Sequence, residues 1–126
     1  YDRANPNATD IPNQAINHAA TAVQSAAALA VQALAALPPL GFIHEDSGQS
    51  FVLDIADLYR ETVTLHIAFT AAKRAEKSDE TIDRLVRREA AAVFRKQQVI
   101  ASMIDSIQRI LRMDEVGHGA GNDRDS

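Results

Sequence analysis

Thr62-Val63-Thr64-Leu65-His66-Ile67-Ala68-Phe69-Thr70-Ala71-Ala72-Lys73-Arg74-Ala75-Glu76-Lys77 is the stretch on which the fold class turns. In its first half Val63, Leu65, Ile67 and Phe69 alternate with Thr62, Thr64, His66 and Ala68, the period of a half-buried strand. Its second half is rich in Ala, Lys, Arg and Glu and has helical propensity throughout. No second strand is at hand for the alternating half to pair with. The stretch is therefore expected to be a helix, and the chain all-α.

The surroundings agree. All four prolines lie at or before Pro39, and no glycine occurs between Gly48 and Gly117, so the long middle of the chain carries no strong helix breaker. A first helix is expected from Asp10-Ile11-Pro12, where Asp can cap and Pro suits the first turn, to Pro38-Pro39. Gln14, Asn17, His18, Thr21 and Gln24 form one narrow polar stripe on it, while 26–37 is apolar almost all round, as in a helix surrounded by others. A second helix spans 50–59. A fourth opens with Ser78-Asp79 as cap and buries Ile82, Leu85, Val86, Val93 and Phe94; a fifth buries Val99, Ile100, Met103, Ile104, Ile107, Ile110 and Leu111. Between these two, Arg95-Lys96-Gln97-Gln98 is either a bend or a turn. The result is an irregular domain of about five helices over 12–112, with a polar linker at 1–11 and a flexible tail at 113–126. Both polar termini lack the apolar periodicity that offsets ordering entropy and are expected to be disordered.

The 126 residues suit one domain. The formal charge of −4 gives no long-range attraction to nucleic acid or to an anionic membrane. With no Cys, disulfide scaffolds, zinc ribbons and thiol nucleophiles are excluded, and a reducing cytoplasm fits. The apolar run at 26–40 holds Gln32 and two prolines and falls short of the roughly 20 residues of a membrane span. The chain opens on Tyr1-Asp2-Arg3-Ala4-Asn5-Pro6, without Met or a secretory apolar region, and reads as part of a longer protein.

Charge is segregated along the sequence. Eight basic residues against five acidic ones fall between 73 and 96, a local balance of +3, leaving −7 for the rest. A solvated face explains this, and so do phosphate contacts, which follow local Lys and Arg rather than net charge.

The chemistry concentrates in Gly41-Phe42-Ile43-His44-Glu45-Asp46-Ser47-Gly48-Gln49-Ser50-Phe51-Val52-Leu53-Asp54-Ile55-Ala56-Asp57-Leu58. On a helix Ser50, Asp54, Asp57 and Glu61 share one face among apolar neighbours. Two carboxylates one turn apart repel each other and require a counter-charge, either an arginine or a divalent cation. His44, across a Gly-containing turn, favours the cation, because a neutral imidazole with two carboxylates suits Mn²⁺ or Mg²⁺. The alternative is a non-catalytic helical interaction module in which Asp54 and Asp57 pair with Arg60 or Arg84 and His44 caps a helix. His18, His66 and His118 read as bystanders.

At these residues the sequence resembles the C-terminal helical domain of CRISPR-associated protein one, the metal-dependent integrase and endonuclease of type I-E spacer acquisition. Gly-Phe-Ile-His at 41–44, nine residues, then Asp54-Ile55-Ala56-Asp57 match the family's His and paired-Asp spacing. The likeness extends through 13–20, Asp83-Arg84-Leu85-Val86-Arg87 and Val93-Phe94-Arg95. It implies that His44, Asp54 and Asp57 are catalytic metal-site residues for Mg²⁺ or Mn²⁺ and that Arg60, Arg84 and Arg87 contact DNA. It further implies joining of the 3′-hydroxyl of double-stranded prespacer DNA to CRISPR repeat DNA by transesterification. The implied partners are a small ferredoxin-like adaptation nuclease and, in the full-length protein, a second copy of the chain; no membrane is involved. The family's glutamate ligand and dimerising β-rich domain lie upstream of Tyr1, so the chain alone is expected to be inactive. A free-standing hydrolase would need Glu45, Asp46 or Glu61 in place of that glutamate.

Overall fold

A computed structural model of the chain describes residues 10–36 and 45–125, and the side chains within 10–36 and 51–112. Five α-helices follow one another: α1 (Ile11–Ala35), α2 (Glu45–Leu58), α3 (Leu65–Ala75), α4 (Ile82–Lys96) and α5 (Val99–Asp125). Among the described residues there is no strand. Pro38, Pro39, His44 and residues 1–9 lie outside the described residues, as do the side chains of the expected tail.

Helix α1 is the centre. It packs against each of the other four helices. Ala15, Ala19, Ala26, Ala27 and Ala30 are all buried on it, together with Val23 and Leu34. Alanine lets the neighbouring backbones come close, so that many small dispersion contacts replace the bulk of large side chains. The other helices supply that bulk. Ile55 of α2, Ile67 of α3, Val86 of α4, and Met103 and Ile107 of α5 are each almost fully enclosed. On α5 the buried residues Val99, Met103, Ile107 and Leu111 recur every fourth position, which keeps one stripe turned to the core. Pro12 sits in the first turn of α1, as expected, but Asp10 does not cap it with its side chain. Its carboxylate instead accepts from the Asn13 side-chain amide at 3.0 Å.

The stretch that reads partly as a strand is helical, and the burial pattern shows why. Val63 and Thr64, then Ile67 and Ala68, then Ala71 are buried, whereas Phe69 is 58% exposed. Pairs of buried residues every three to four positions are a helical period, and alternation accounts for only half of them. One irregularity precedes α3. Residues Arg60–Thr64 form a π-helical turn. The carbonyl of Tyr59 accepts from both Val63 N (2.9 Å) and Thr64 N (3.1 Å), and that of Arg60 from Leu65 N. One residue more than an α-turn needs is accommodated there, which rotates the following helix by roughly 100° relative to a straight continuation. The Tyr59 hydroxyl lies 2.7 Å from Ser102 Oγ and 3.1 Å from Ser106 Oγ, and so ties this joint to α5.

Helix α4 begins three residues later than the Ser78-Asp79 cap expected from sequence. Its cap is Thr81, whose hydroxyl accepts from Arg84 N at 3.3 Å, while Ser78 Oγ accepts from Glu80 N in a local turn before the helix. Both are good capping residues, and position relative to the first buried turn selects Thr81. Arg95 and Lys96 are still helical, and Gln97 and Gln98 form a turn that separates α4 from α5, so the helix does not continue through a bend. Gln97 N bonds Val93 O, and Gln98 has φ 49°, a left-handed conformation that reverses the chain before α5.

A candidate carboxylate pocket and arginine face

Helix α2 is held by its apolar side, where Ile55 is fully buried and Phe51, Val52 and Ala56 are partly buried against the core. That anchoring turns Asp54 and Asp57 outward. Both are exposed, and both line an open depression of about 310 Å³ with Ala20 and Gln24 of α1, Leu53 and Ala56 of α2, and Arg60 and Thr64 of the π turn. The small side chains of Ala20 and Ala56 leave the space, and the carboxylates supply its charge.

The structure thus brings Asp54, Asp57 and Arg60 together at one place. Glu61, which an unbroken α-helix would align with the two aspartates, is exposed and is absent from the lining. Arg60 and Thr64, three and seven positions after Asp57, line the pocket where the π turn follows α2. Neither Asp54 nor Asp57 has a hydrogen-bond or ion-pair partner among the described residues, and Arg60 has none either. The pairs of Asp54 and Asp57 with Arg60 or Arg84 that an interaction module would use are therefore not formed.

A metal ion would fit the donor chemistry in part. Two carboxylates on successive turns, with no internal cation bound to them, offer hard oxygen ligands of the kind Mg²⁺ and Mn²⁺ take. Among the described residues no group of three His, Asp or Glu side chains converges to complete such a site. His44, the third residue expected there, lies outside the described residues.

Arg84 and Arg87 are elsewhere. Leu85, Val86, Ala90 and Val93 bury one side of α4, which leaves Arg84, Arg87, Arg88 and Arg95 exposed. Arg87 is paired to Asp83 at 3.0 Å, and Arg88 makes a two-pronged contact with Glu80. That contact, more than the neighbouring charges, holds the Glu80 carboxyl below its ordinary value and raises Arg88 above its own. Arg84 has no ion-pair partner among the described residues. His18 of α1 brings Nδ1 to 3.6 Å from Asp83 Oδ1, so this end of α1's polar stripe adjoins the arginine face. About 9 Å further along the same stripe, at a rise of 1.5 Å per residue, Gln24 reaches the carboxylate pocket.

Sequence reasoning missed Thr64 and Gln24 as pocket residues and His18 as a neighbour of Asp83. The polar stripe of α1 was visible, but what it faces depends on tertiary packing.

Fold and site together define a helical domain that presents unpartnered carboxylates on one helix and an arginine face on another. Comparison with known proteins gives the family. The chain is 34% identical over 115 residues to the CRISPR-associated endonuclease Cas1 1 of Rhodospirillum rubrum, covering 89% of this chain and 37% of that protein. It is 31% identical to the CRISPR-associated endonuclease Cas1 of Geobacter sulfurreducens, covering 88% and 35%, and 30% identical to that of Escherichia coli, covering 92% and 37%. The chain belongs to the Cas1 family and spans a little over a third of the length of these curated relatives. No family profile and no solved structure matches it.

Proposed function

We propose that this chain is the helical catalytic segment of a CRISPR-adaptation integrase and endonuclease acting on DNA in the cytoplasm. The observation that carries the reading is that Asp54 and Asp57 share one open pocket with Arg60, with no partner for either carboxylate among the described residues. Two adjacent carboxylates left unneutralised are costly unless something from outside binds them.

Asp54 and Asp57, together with His44, would hold a divalent cation, Mg²⁺ or Mn²⁺. Such an ion supplies Lewis acidity toward a phosphodiester and lowers the barrier to attack by a hydroxyl. Arg60, at the rim of the same pocket, attracts and orients a phosphate, and its charge offsets the negative charge that grows on the phosphoryl oxygens. Arg84 and Arg87 on α4 grip the backbone of the same nucleic acid without reading its sequence. The reaction assigned to the whole protein is joining of a prespacer 3′-hydroxyl to CRISPR repeat DNA. Its partners are a small ferredoxin-like nuclease and a second copy of the full-length chain. The matched relatives' shared description as CRISPR-associated endonucleases supports the assignment.

Calorimetric titration with Mn²⁺ tests the pocket. Asp54→Ala is expected to weaken binding at least tenfold, and His44→Ala to weaken it as well. Equal weak binding by the wild type and both variants would count against the metal reading.

A further inference from the structure

Among the described residues, Thr64 is the one polar residue in the buried core, at 2% exposure. It also lines the carboxylate pocket. Its hydroxyl has no hydrogen-bond partner among the described residues. Among the described residues no fully enclosed side-chain polar atom lacks a partner, so the hydroxyl keeps some exposure, and the pocket is the opening that Thr64 lines.

Helical Ser and Thr side chains commonly satisfy themselves by bonding the carbonyl four residues back. Elsewhere in this chain they do so: Thr21 bonds Asn17 O and Ser25 bonds Thr21 O, each at 3.0 Å. At Thr64 the π turn changes the local geometry. The carbonyl four back, that of Arg60, accepts from Leu65 N, and Thr64's own N–H goes to Tyr59 five back. The side chain makes no such bond. A hydroxyl in this position is destabilising if nothing meets it, whereas valine would fill the same space with no polar group to satisfy.

We infer that the Thr64 hydroxyl is a further ligand-contacting group of the carboxylate pocket, donating a hydrogen bond to a phosphate oxygen of the bound DNA strand. This rests on the reading of the pocket as a phosphodiester site. Asp54 and Asp57 repel a phosphate unless a cation intervenes, so the contact forms with the cation present. Arg60 and Thr64, at the two ends of the π turn and both lining the pocket, then receive the phosphate together. The neutral hydroxyl adds direction to the attraction that the guanidinium supplies.

The test uses the 126-residue chain with two probes: Mn²⁺ alone by calorimetry, and a fluorescent ten-nucleotide single-stranded DNA by anisotropy with Mn²⁺ present. Thr64→Val is expected to bind the oligonucleotide about tenfold more weakly, as for loss of one hydrogen bond to a charged group. It should bind Mn²⁺ as the wild type does and melt at the same temperature or higher. Thr64→Ser, which keeps the hydroxyl, should bind the oligonucleotide within about twofold of wild type. If Thr64→Val binds it like wild type while Arg60→Ala does not, the inference fails and the pocket reading stands. Equal losses in Thr64→Val and Thr64→Ser would make the role one of packing and also overturn it. If the wild-type chain fails to bind the oligonucleotide, or Asp54→Ala leaves Mn²⁺ binding unchanged, both readings fall.

Discussion

Helices α2 and α4 carry acidic residues on their outer faces and treat them in opposite ways. On α4 and the turn before it, Glu80 is clasped by Arg88, Asp83 by Arg87 with His18 nearby, and Glu89 by Arg74 of α3. On α2, Asp54 and Asp57 make no ion pair among the described residues although Arg60 lines the same pocket. A carboxylate that meets an arginine within the fold is already answered. One that does not is available to something outside, and so the acidic helix rather than the more highly charged one is the place to look for a bound cation.

That contrast can be attacked experimentally. The largest effect is expected on nucleic-acid binding by α4. Arg84→Ala with Arg87→Ala should weaken oligonucleotide binding by about tenfold at low salt and reduce the salt dependence by about one to two phosphate contacts. Measured over a salt series, an unchanged slope would show that the arginine face is only a solvated surface. A smaller effect concerns stability without metal. Asp57→Asn removes a like-charge neighbour from Asp54 and should raise stability by about 0.2–0.5 kcal/mol, whereas Glu80→Gln, which breaks a satisfied pair, should lower the melting temperature. The two shifts having the same sign would erase the distinction between the faces.

The smallest effect is a pH dependence confined to α4. The Glu80 carboxyl is held below the ordinary glutamate range by its hydrogen bonds to Arg88. A depressed acid contributes stability that is fully present above its unfolded value and is lost as pH falls through the folded one. A melting series below about pH 5 should therefore show wild type losing more stability than Glu80→Gln, and the two curves should run parallel at higher pH.

Much of this was legible in the residues. The all-α class followed from one alternating segment that had nothing to pair with, and Asp54 with Asp57 followed from a three-residue step on an apolar helix. A π turn is a one-residue insertion within a helix and leaves no mark on composition, so nothing in Arg60-Glu61-Thr62-Val63-Thr64 announces it. Helical spacing from Asp57 offers both Glu61 and Thr64, and only the packing against α1 shows that Thr64 lines the pocket. Likewise, Ser78 and Thr81 are both competent caps, and the choice is made by which turn is first to be buried. His18 beside Asp83 is a contact across 65 positions, set by how α1 and α4 pack. The clearest strain signal, a left-handed Gln98, is equally silent, because glycine is the residue that ordinarily marks that conformation.

The alanine-lined α1 has a consequence for how the molecule is made. It touches α5, the last of the five helices described, as well as the three between them. During synthesis from the N-terminus α1 emerges first, yet its apolar face stays open until α5 has left the ribosome. Alanine exposes little apolar area per residue while it waits, and so the helix that must be uncovered longest is also the one least prone to associate with the wrong partner.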